Sequence, residues 1–179
     1  METIYLAGFS GVGKSMVGKL LASRKELKFV DTDQKIEEKE NKKIEEILST
    51  YSDKDLRDIE KYVLQNNVEQ GMIVSVGTYI PKDEENRKLI KSTGRVIYLK
   101  AKSNTIYENL KEEYEKRPKI KDNFSVFTIE NKLEEMRPYY EELANFVVEV
   151  DNKTLNSVFK ETLAIYNYCN KVKCHIYIK

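Results

Sequence analysis

Residues 8–15 read Gly8-Phe9-Ser10-Gly11-Val12-Gly13-Lys14-Ser15, which satisfies the pattern G-x-x-x-x-G-K-S/T at every position. Each residue type has a chemical reason to be there. Glycines let backbone N–H groups turn inward and approach phosphate oxygens closely, and a helix beginning at Lys14 directs its positive end at the same oxygens. Lys14 can bridge the β- and γ-phosphates of a nucleotide, and the Ser15 hydroxyl can ligate Mg²⁺. A glycine-rich turn can match by chance, but chance rarely supplies the flanks as well. Here the apolar stretch Thr3-Ile4-Tyr5-Leu6-Ala7 precedes the loop as a strand. Val17, Leu20 and Leu21 follow at helical spacing, which predicts a helix to about Arg24. ATP and Mg²⁺ are therefore the expected ligands, with nucleotide contacts from Gly11, Val12, Gly13, Lys14, Ser15 and Met16.

A chain of 179 residues is long enough for one domain with a real core and short for two. Its 31 basic and 30 acidic side chains give a net charge of +1, without the basic excess that a nucleic-acid partner usually requires. A small anionic substrate needs only a few well-placed cations. No stretch reaches the apolar length of a membrane span, and the N-terminus enters a strand directly, so neither a membrane anchor nor a signal peptide is expected. Cys169, Cys174 and His175 match no usual zinc spacing and read as incidental reduced thiols beside a histidine, which fits a cytoplasmic protein. A monomer is expected. Lysine greatly outnumbers arginine, so the arginine positions are informative: a planar, bidentate anion site is where lysine cannot substitute.

Beyond the first helix, Lys28-Phe29-Val30-Asp31 reads as a short strand ending in a carboxylate. Residues 34–49 and 53–69 are two helical patterns broken near Ser52-Asp53, and Met72–Val76 is an apolar run suited to a central parallel strand. Then follow a helix over 82–92, a strand over 95–99, a helix from Asn104, a helix over 129–144, a strand over 146–150 and a helix over 154–168. Residues 115–127 lose periodicity and collect Lys, Pro and Asp, marking a loop. Strands alternating with helices predict an α/β fold in three layers, a five-stranded parallel sheet with helices on both faces. The expected organisation is one P-loop domain over 1–168, with acceptor-binding helices at about 32–60, a lid at about 112–127 and a tail over 169–179. The tail alternates as Val172, Cys174, Ile176 and Ile178, open to reading as an added strand or a loose extension.

Asp31-Thr32-Asp33 ends the second strand, on the rim where a parallel sheet binds ligands. One carboxylate can hold a Mg²⁺-bound water and the other can accept a proton from a substrate hydroxyl. Equally, Asp33 can be a helix N-cap. With these residues stand Leu56-Arg57-Asp58-Ile59-Glu60, Val74-Ser75-Val76-Gly77, Arg117-Pro118 and Arg137-Pro138-Tyr139-Tyr140-Glu141-Glu142-Leu143-Ala144. In order and interval the set resembles the shikimate kinase family over roughly residues 3–165. That family carries D-S/T-D, F-R-x-x-E, S/T-x-G-G-G, an R-P lid and an R-x-P-x-Y-x-x-x-A helix.

The resemblance implies a phosphorylation of the 3-hydroxyl of shikimate by ATP, a step towards chorismate and aromatic amino acids. It implies that Asp31 and Ser75 organise Mg²⁺ through water beside Ser15, and that Asp33 contacts and deprotonates the acceptor hydroxyl. Arg57 pairs with the acceptor carboxylate, oriented by Glu60. Gly77 and Arg137 complete the acceptor site, Arg117 closes with the lid onto the transferring phosphoryl, and Lys153 lies in the loop that passes the base. Several positions depart from the family. Its triple glycine is Gly77-Thr78-Tyr79, and Met136 stands where an arginine is expected, with Arg137 one residue late and so rotated by ~100°. Ser52-Asp53 replaces Gly-Glu, Leu56 replaces Phe, and Leu110 replaces an arginine that stacks on adenine, with Lys111 adjacent. Two other readings fit the same residues: a kinase of this fold acting on a different hydroxy acid, or a nucleotide-binding regulatory domain. Asp33, Arg57 and Arg117 favour an enzyme, since a pure binder needs none of them.

Overall fold

Strands β1 (Thr3–Ala7), β2 (Phe29–Asp31), β3 (Ile73–Ser75), β4 (Gly94–Lys100) and β5 (Phe146–Glu149) form one parallel sheet in a computed structural model that describes residues 2–115 and 124–176. Their order is β2-β3-β1-β4-β5. The helices are α1 (Lys14–Lys25), α2 (Thr32–Glu40), α3 (Ile44–Thr50), α4 (Asp53–Asn67), α5 (Glu84–Thr93), α6 (Ser103–Glu115), α7 (Val126–Leu143) and α8 (Leu155–Ile176). The expected three-layer architecture is the observed one.

Side chains alternate across each strand, so one apolar run serves two cores. Ile4 and Leu6 of β1, with Ile97 and Leu99 of β4, pack against Val17 and Leu21 of α1, Ile106 of α6 and Val158 of α8. Tyr5 and Ala7, with Val96 and Tyr98, pack on the opposite face against Leu64 of α4, Ile90 of α5 and Tyr140 of α7. Each fully buried aliphatic side chain contributes about 1.5–3 kcal/mol. A third, smaller cluster of Ile36, Ile47 and Val63 holds α2, α3 and α4 together beyond the edge of the sheet.

Three boundaries differ from expectation. The pattern over 34–49 is two helices, because Asn41 ends α2 in the left-handed region at φ 51°. Asparagine tolerates that conformation. The chain then restarts at α3, whose first N–H, from Ile44, donates to Glu37 Oε1 at 2.9 Å. Second, the last helix does not stop at 168 but continues to Ile176, with Cys169 buried in the core against α1's side of the sheet. The alternation at 172–176 is thus helical chain and not an added strand. Third, the expected lid is helical at both ends: α6 reaches Glu115, and α7 begins at Val126 with Ser125 as its cap, accepting from Thr128 N at 3.1 Å. Residues 116–123, Arg117 included, lie outside the described residues.

Register decides what meets at the carboxyl rim. Ser75 on β3 is level with Leu6 on β1 and with Asp31 on β2. The loop leaving β1, the carboxylate ending β2 and the hydroxyl ending β3 are therefore neighbours.

Candidate active site

Gly8 opens the loop at φ 140°, with its Cα so close to β4 that a Cβ would lie 2.5 Å from the Leu99 carbonyl oxygen. Only glycine fits there. The loop then turns beneath itself: Lys14 Nζ donates to the carbonyls of Gly8 at 2.8 Å and Phe9 at 2.9 Å. Burial lowers the Lys14 pKa to about 8, although Asp33 and Asp31 pull it upward.

Ser15 Oγ donates to Asp31 Oδ2 at 2.5 Å and lies 3.4 Å from Ser75 Oγ. The other Asp31 oxygen accepts from the N–H groups of Asp33 at 3.1 Å and Gln34 at 3.4 Å. Asp31 is therefore the cap of α2, and Asp33 is not. This division leaves the Asp33 carboxyl free of capping duty. Two hydroxyls and a carboxylate oxygen converging beside the loop form a hard-oxygen donor set. Such a set suits Mg²⁺, which binds through few protein oxygens and keeps several waters.

Two cavities meet at Asp33. One, of about 490 Å³, is lined by the loop from Ser10 to Val17 and by Asp31, Ser75, Asn109, Lys153 and Val158. The other, of about 360 Å³, lies among α2, α3, α4 and α7, with Ile36, Ile44, Leu48, Leu56 and Ile129 as its apolar lining. Ser10, Asp33, Thr78 and Leu110 line both. Burial raises the Asp33 pKa to about 6; Lys14 opposes the rise, and Asp31, Glu37 and Glu45 add to it. The carboxyl rests against Gly77, where a Cβ would lie 2.2 Å from Asp33 Oδ1. Gly77→Ala is thus expected to push that carboxyl aside and cut turnover ~100-fold, with ATP affinity unchanged in a binding titration. Turnover within twofold of wild type would mean that Asp33 has freedom to relocate.

Thr32 went unread between its two conspicuous neighbours. Its Oγ1 donates to the Ser75 carbonyl at 3.2 Å and accepts from Gly77 N at 2.8 Å, tying the start of α2 to the end of β3. Its signal was a small hydroxyl residue flanked by carboxylates. Asn109 also gave no motif, yet its Nδ2 donates to the Gly11 carbonyl at 2.9 Å. Leu110 packs directly on Gly11, so an apolar side chain fills the space expected for an adenine-stacking arginine. Lys153 lines the larger cavity and pairs with Glu161 at 2.7 Å. The cap of α8 is Thr154, which accepts from Ser157 N at 3.2 Å, while Asp151 accepts from Lys102 N and Thr105 Oγ1.

The residues expected at the acceptor differ most from expectation. Arg137 is not brought to the cavity: it pairs with Glu134 at 2.6 Å and Glu130 at 3.7 Å. Met136 takes the inward direction on α7 and is fully buried, as the rotation of ~100° per residue requires. Arg57 is exposed on α4 and outside the lining of either cavity. Glu60 is not bonded to Arg57; its Oε2 accepts from Asn86 Nδ2 at 3.3 Å. Burial, reinforced by Asp33 and Asp83 and opposed by Arg57, raises the Glu60 pKa to about 8. Tyr79 lines the smaller cavity with an ordinary backbone, φ −98°. Its position demands no glycine. The neighbouring Thr78 carbonyl accepts from Tyr140 OH at 2.8 Å.

A family model described as shikimate kinase matches residues 10–167. The shikimate kinase of Sulfurihydrogenibium sp. (strain YO3AOP1) is 37% identical over 164 residues, 91% of this chain and 96% of that one. Among solved structures, the shikimate kinase of Aquifex aeolicus vf5 is 30% identical with a TM-score of 0.71, over 90% of this chain and 94% of that chain. The shikimate kinase from Acinetobacter baumannii in complex with shikimate is 25% identical with a TM-score of 0.76, over 100% of this chain and 96% of that chain.

Proposed function

This chain belongs to the shikimate kinase family, and on that footing we propose that it transfers the γ-phosphoryl group of ATP to the 3-hydroxyl of shikimate. The observation that carries the reading is the position of Asp33, whose carboxyl lines both cavities at once. A hydroxyl bound in the smaller cavity then meets a phosphoryl group held by the loop, with a proton acceptor between them. The product, shikimate 3-phosphate, leads towards chorismate and the aromatic amino acids.

Lys14 exchanges its bonds to the Gly8 and Phe9 carbonyls for phosphate oxygens when ATP enters. Asp33 takes the proton of the attacking hydroxyl, with a pKa raised to about 6 that makes it a stronger base than an ordinary carboxylate. Gly11, Val12, Gly13, Ser15 and Met16 wrap the phosphates through the loop, and Lys153 borders the base. Ser15, with Asp31 and Ser75 through water, would hold Mg²⁺, which neutralises phosphate charge when bound. In this reading Arg117 comes to the transferring group from the lid, and Arg57 swings from the surface of α4 to the acceptor carboxylate. Asp33 and Gly77 border the acceptor. No helix among the described residues is long and apolar enough to cross a membrane. We take the enzyme to be cytoplasmic and to act as a monomer on a small-molecule acceptor, without a nucleic-acid partner.

ADP release with ATP, Mg²⁺ and shikimate tests the reading. Release that depends on shikimate is the expected result. ATP binding without stimulation by shikimate would redirect the search to another hydroxy acid, and slow hydrolysis indifferent to every acceptor would indicate a nucleotide switch.

A further inference from the structure

A phosphate-binding loop works by the direction of its peptide planes, and glycine leaves those planes loose. Gly11 sits at φ 82°, and a Cβ there would lie 2.7 Å from the Leu110 side chain of α6. The position therefore demands glycine, yet glycine lets the adjoining peptide rotate at little cost. Carbonyls before and after it have partners within the loop and its helix. Gly13 O accepts from Val17 N at 2.9 Å as α1 begins, and Lys14 Nζ holds the carbonyls of Gly8 and Phe9. The Gly11 carbonyl is held from another element: Asn109 Nδ2 of α6 donates to it at 2.9 Å, across 98 residues of sequence. The next N–H, of Val12, donates to no backbone carbonyl among the described residues.

We propose that Asn109 is a positioning residue for the nucleotide phosphates: by holding the Gly11 carbonyl it aims the N–H of Val12 the opposite way, at the phosphate oxygens. The inference rests on the kinase reading above and deepens it. The link is covalent geometry. In a trans peptide the C=O and the following N–H share a plane and point in opposite directions, so fixing one aims the other. Val12 itself is anchored, because its side chain is packed in the core at 3% exposure. When Lys14 turns from the Gly8 and Phe9 carbonyls to a phosphate, Asn109 is the side chain among the described residues that still holds a carbonyl of the loop. An N–H aimed in advance needs no reorganisation when the anion arrives, and successive N–H groups facing one way make an anion-binding nest.

The test titrates wild type, Asn109→Ala, Asn109→Leu and Asn109→Gln with ADP and Mg²⁺, and with adenosine by competition. Wild type comes first: no binding of ADP there would defeat the nucleotide reading and this inference with it. Binding that Asn109→Ala and Asn109→Leu retain at full strength would overturn this inference alone. The expected result is a Kd for ADP raised about fivefold or more in both, the size of one ordinary hydrogen bond. KM for ATP should rise by a similar factor while KM for shikimate stays. Asn109→Gln keeps the amide and should come within twofold of wild type. Tm should not fall, since alanine and leucine favour a helix more than asparagine does. Asn109 also lines the larger cavity, so a direct contact with the base is the rival explanation. Adenosine brings no phosphate to the loop and should bind wild type and variants alike. An equal loss with ADP and with adenosine would place Asn109 at the base and overturn the assignment.

Discussion

Lys14→Ala is expected to slow shikimate-dependent ADP release ~1,000-fold or more, in the range seen when a preorganised cation or oxyanion donor is removed from a transition state. The ammonium is buried and held under the loop by the carbonyls of Gly8 and Phe9. Its surroundings are dry enough to lower its pKa to about 8. A charge in such a place is screened little, so its attraction to a phosphoryl group gaining negative charge is large. The fold should tolerate the change. Removing the side chain frees two carbonyls beside an open cavity, where water can reach them, and also removes the desolvation cost of a buried charge. Tm is expected to stay within ~4 °C of wild type, equivalent to about 1 kcal/mol. Turnover within tenfold of wild type in a folded variant would mean that the loop amides alone carry the phosphate chemistry.

The parts of this site that were legible in the sequence are those fixed by neighbouring residues. Gly8 to Ser15 is one local pattern, and the apolar strand before it and the helix after it are each read from a few residues. The roles within Asp31-Thr32-Asp33 were less legible because they depend on long-range register. Asp31 is the cap, and Asp33 the free carboxyl, because β2 ends level with Ser75. Nothing within three residues distinguishes the two aspartates. The acceptor side was the least legible for the same reason. Glu60 meets Asn86 across 26 residues of sequence, and no motif joins them. Arg137 follows the expected arginine position by one residue, and on α7 that single step turns it to Glu130 and Glu134. Arg87 was silent in the sequence for the same reason: it pairs with Glu142 of α7 at 3.0 Å, donates to the carbonyls of Pro81 at 2.8 Å and Lys82 at 3.0 Å and stacks on Tyr139, fastening α5 to α7 and to the turn before it.

The pH dependence of kcat/KM for shikimate should be bell-shaped, with limbs near 6 and 8, because this ratio reports the groups of the free enzyme. On the acid side Asp33 must lose its proton to act as base. An ordinary carboxylate does so near pH ~4, but burial moves this one to about 6, so activity should rise tenfold per pH unit below that value. On the alkaline side Lys14 loses its charge above about 8 and with it the attraction to phosphate. Glu60, also raised to about 8, could imitate that limb. Glu60→Gln separates them: an alkaline limb that survives the substitution belongs to Lys14. Asp33→Asn should lower kcat/KM ~1,000-fold and abolish the acid limb, since the amide cannot take a proton. The sign for stability runs against that for activity. Asp33 and Glu60 both hold protons more tightly folded than unfolded, so their contribution is complete below pH ~4 and is lost as pH rises through about 6 and about 8. Tm should therefore fall between pH 5 and 8 while activity climbs its acid limb, and Glu60→Gln should flatten the upper part of that fall. An acid limb centred near pH 4, or one that persists in Asp33→Asn, would assign the base to another group.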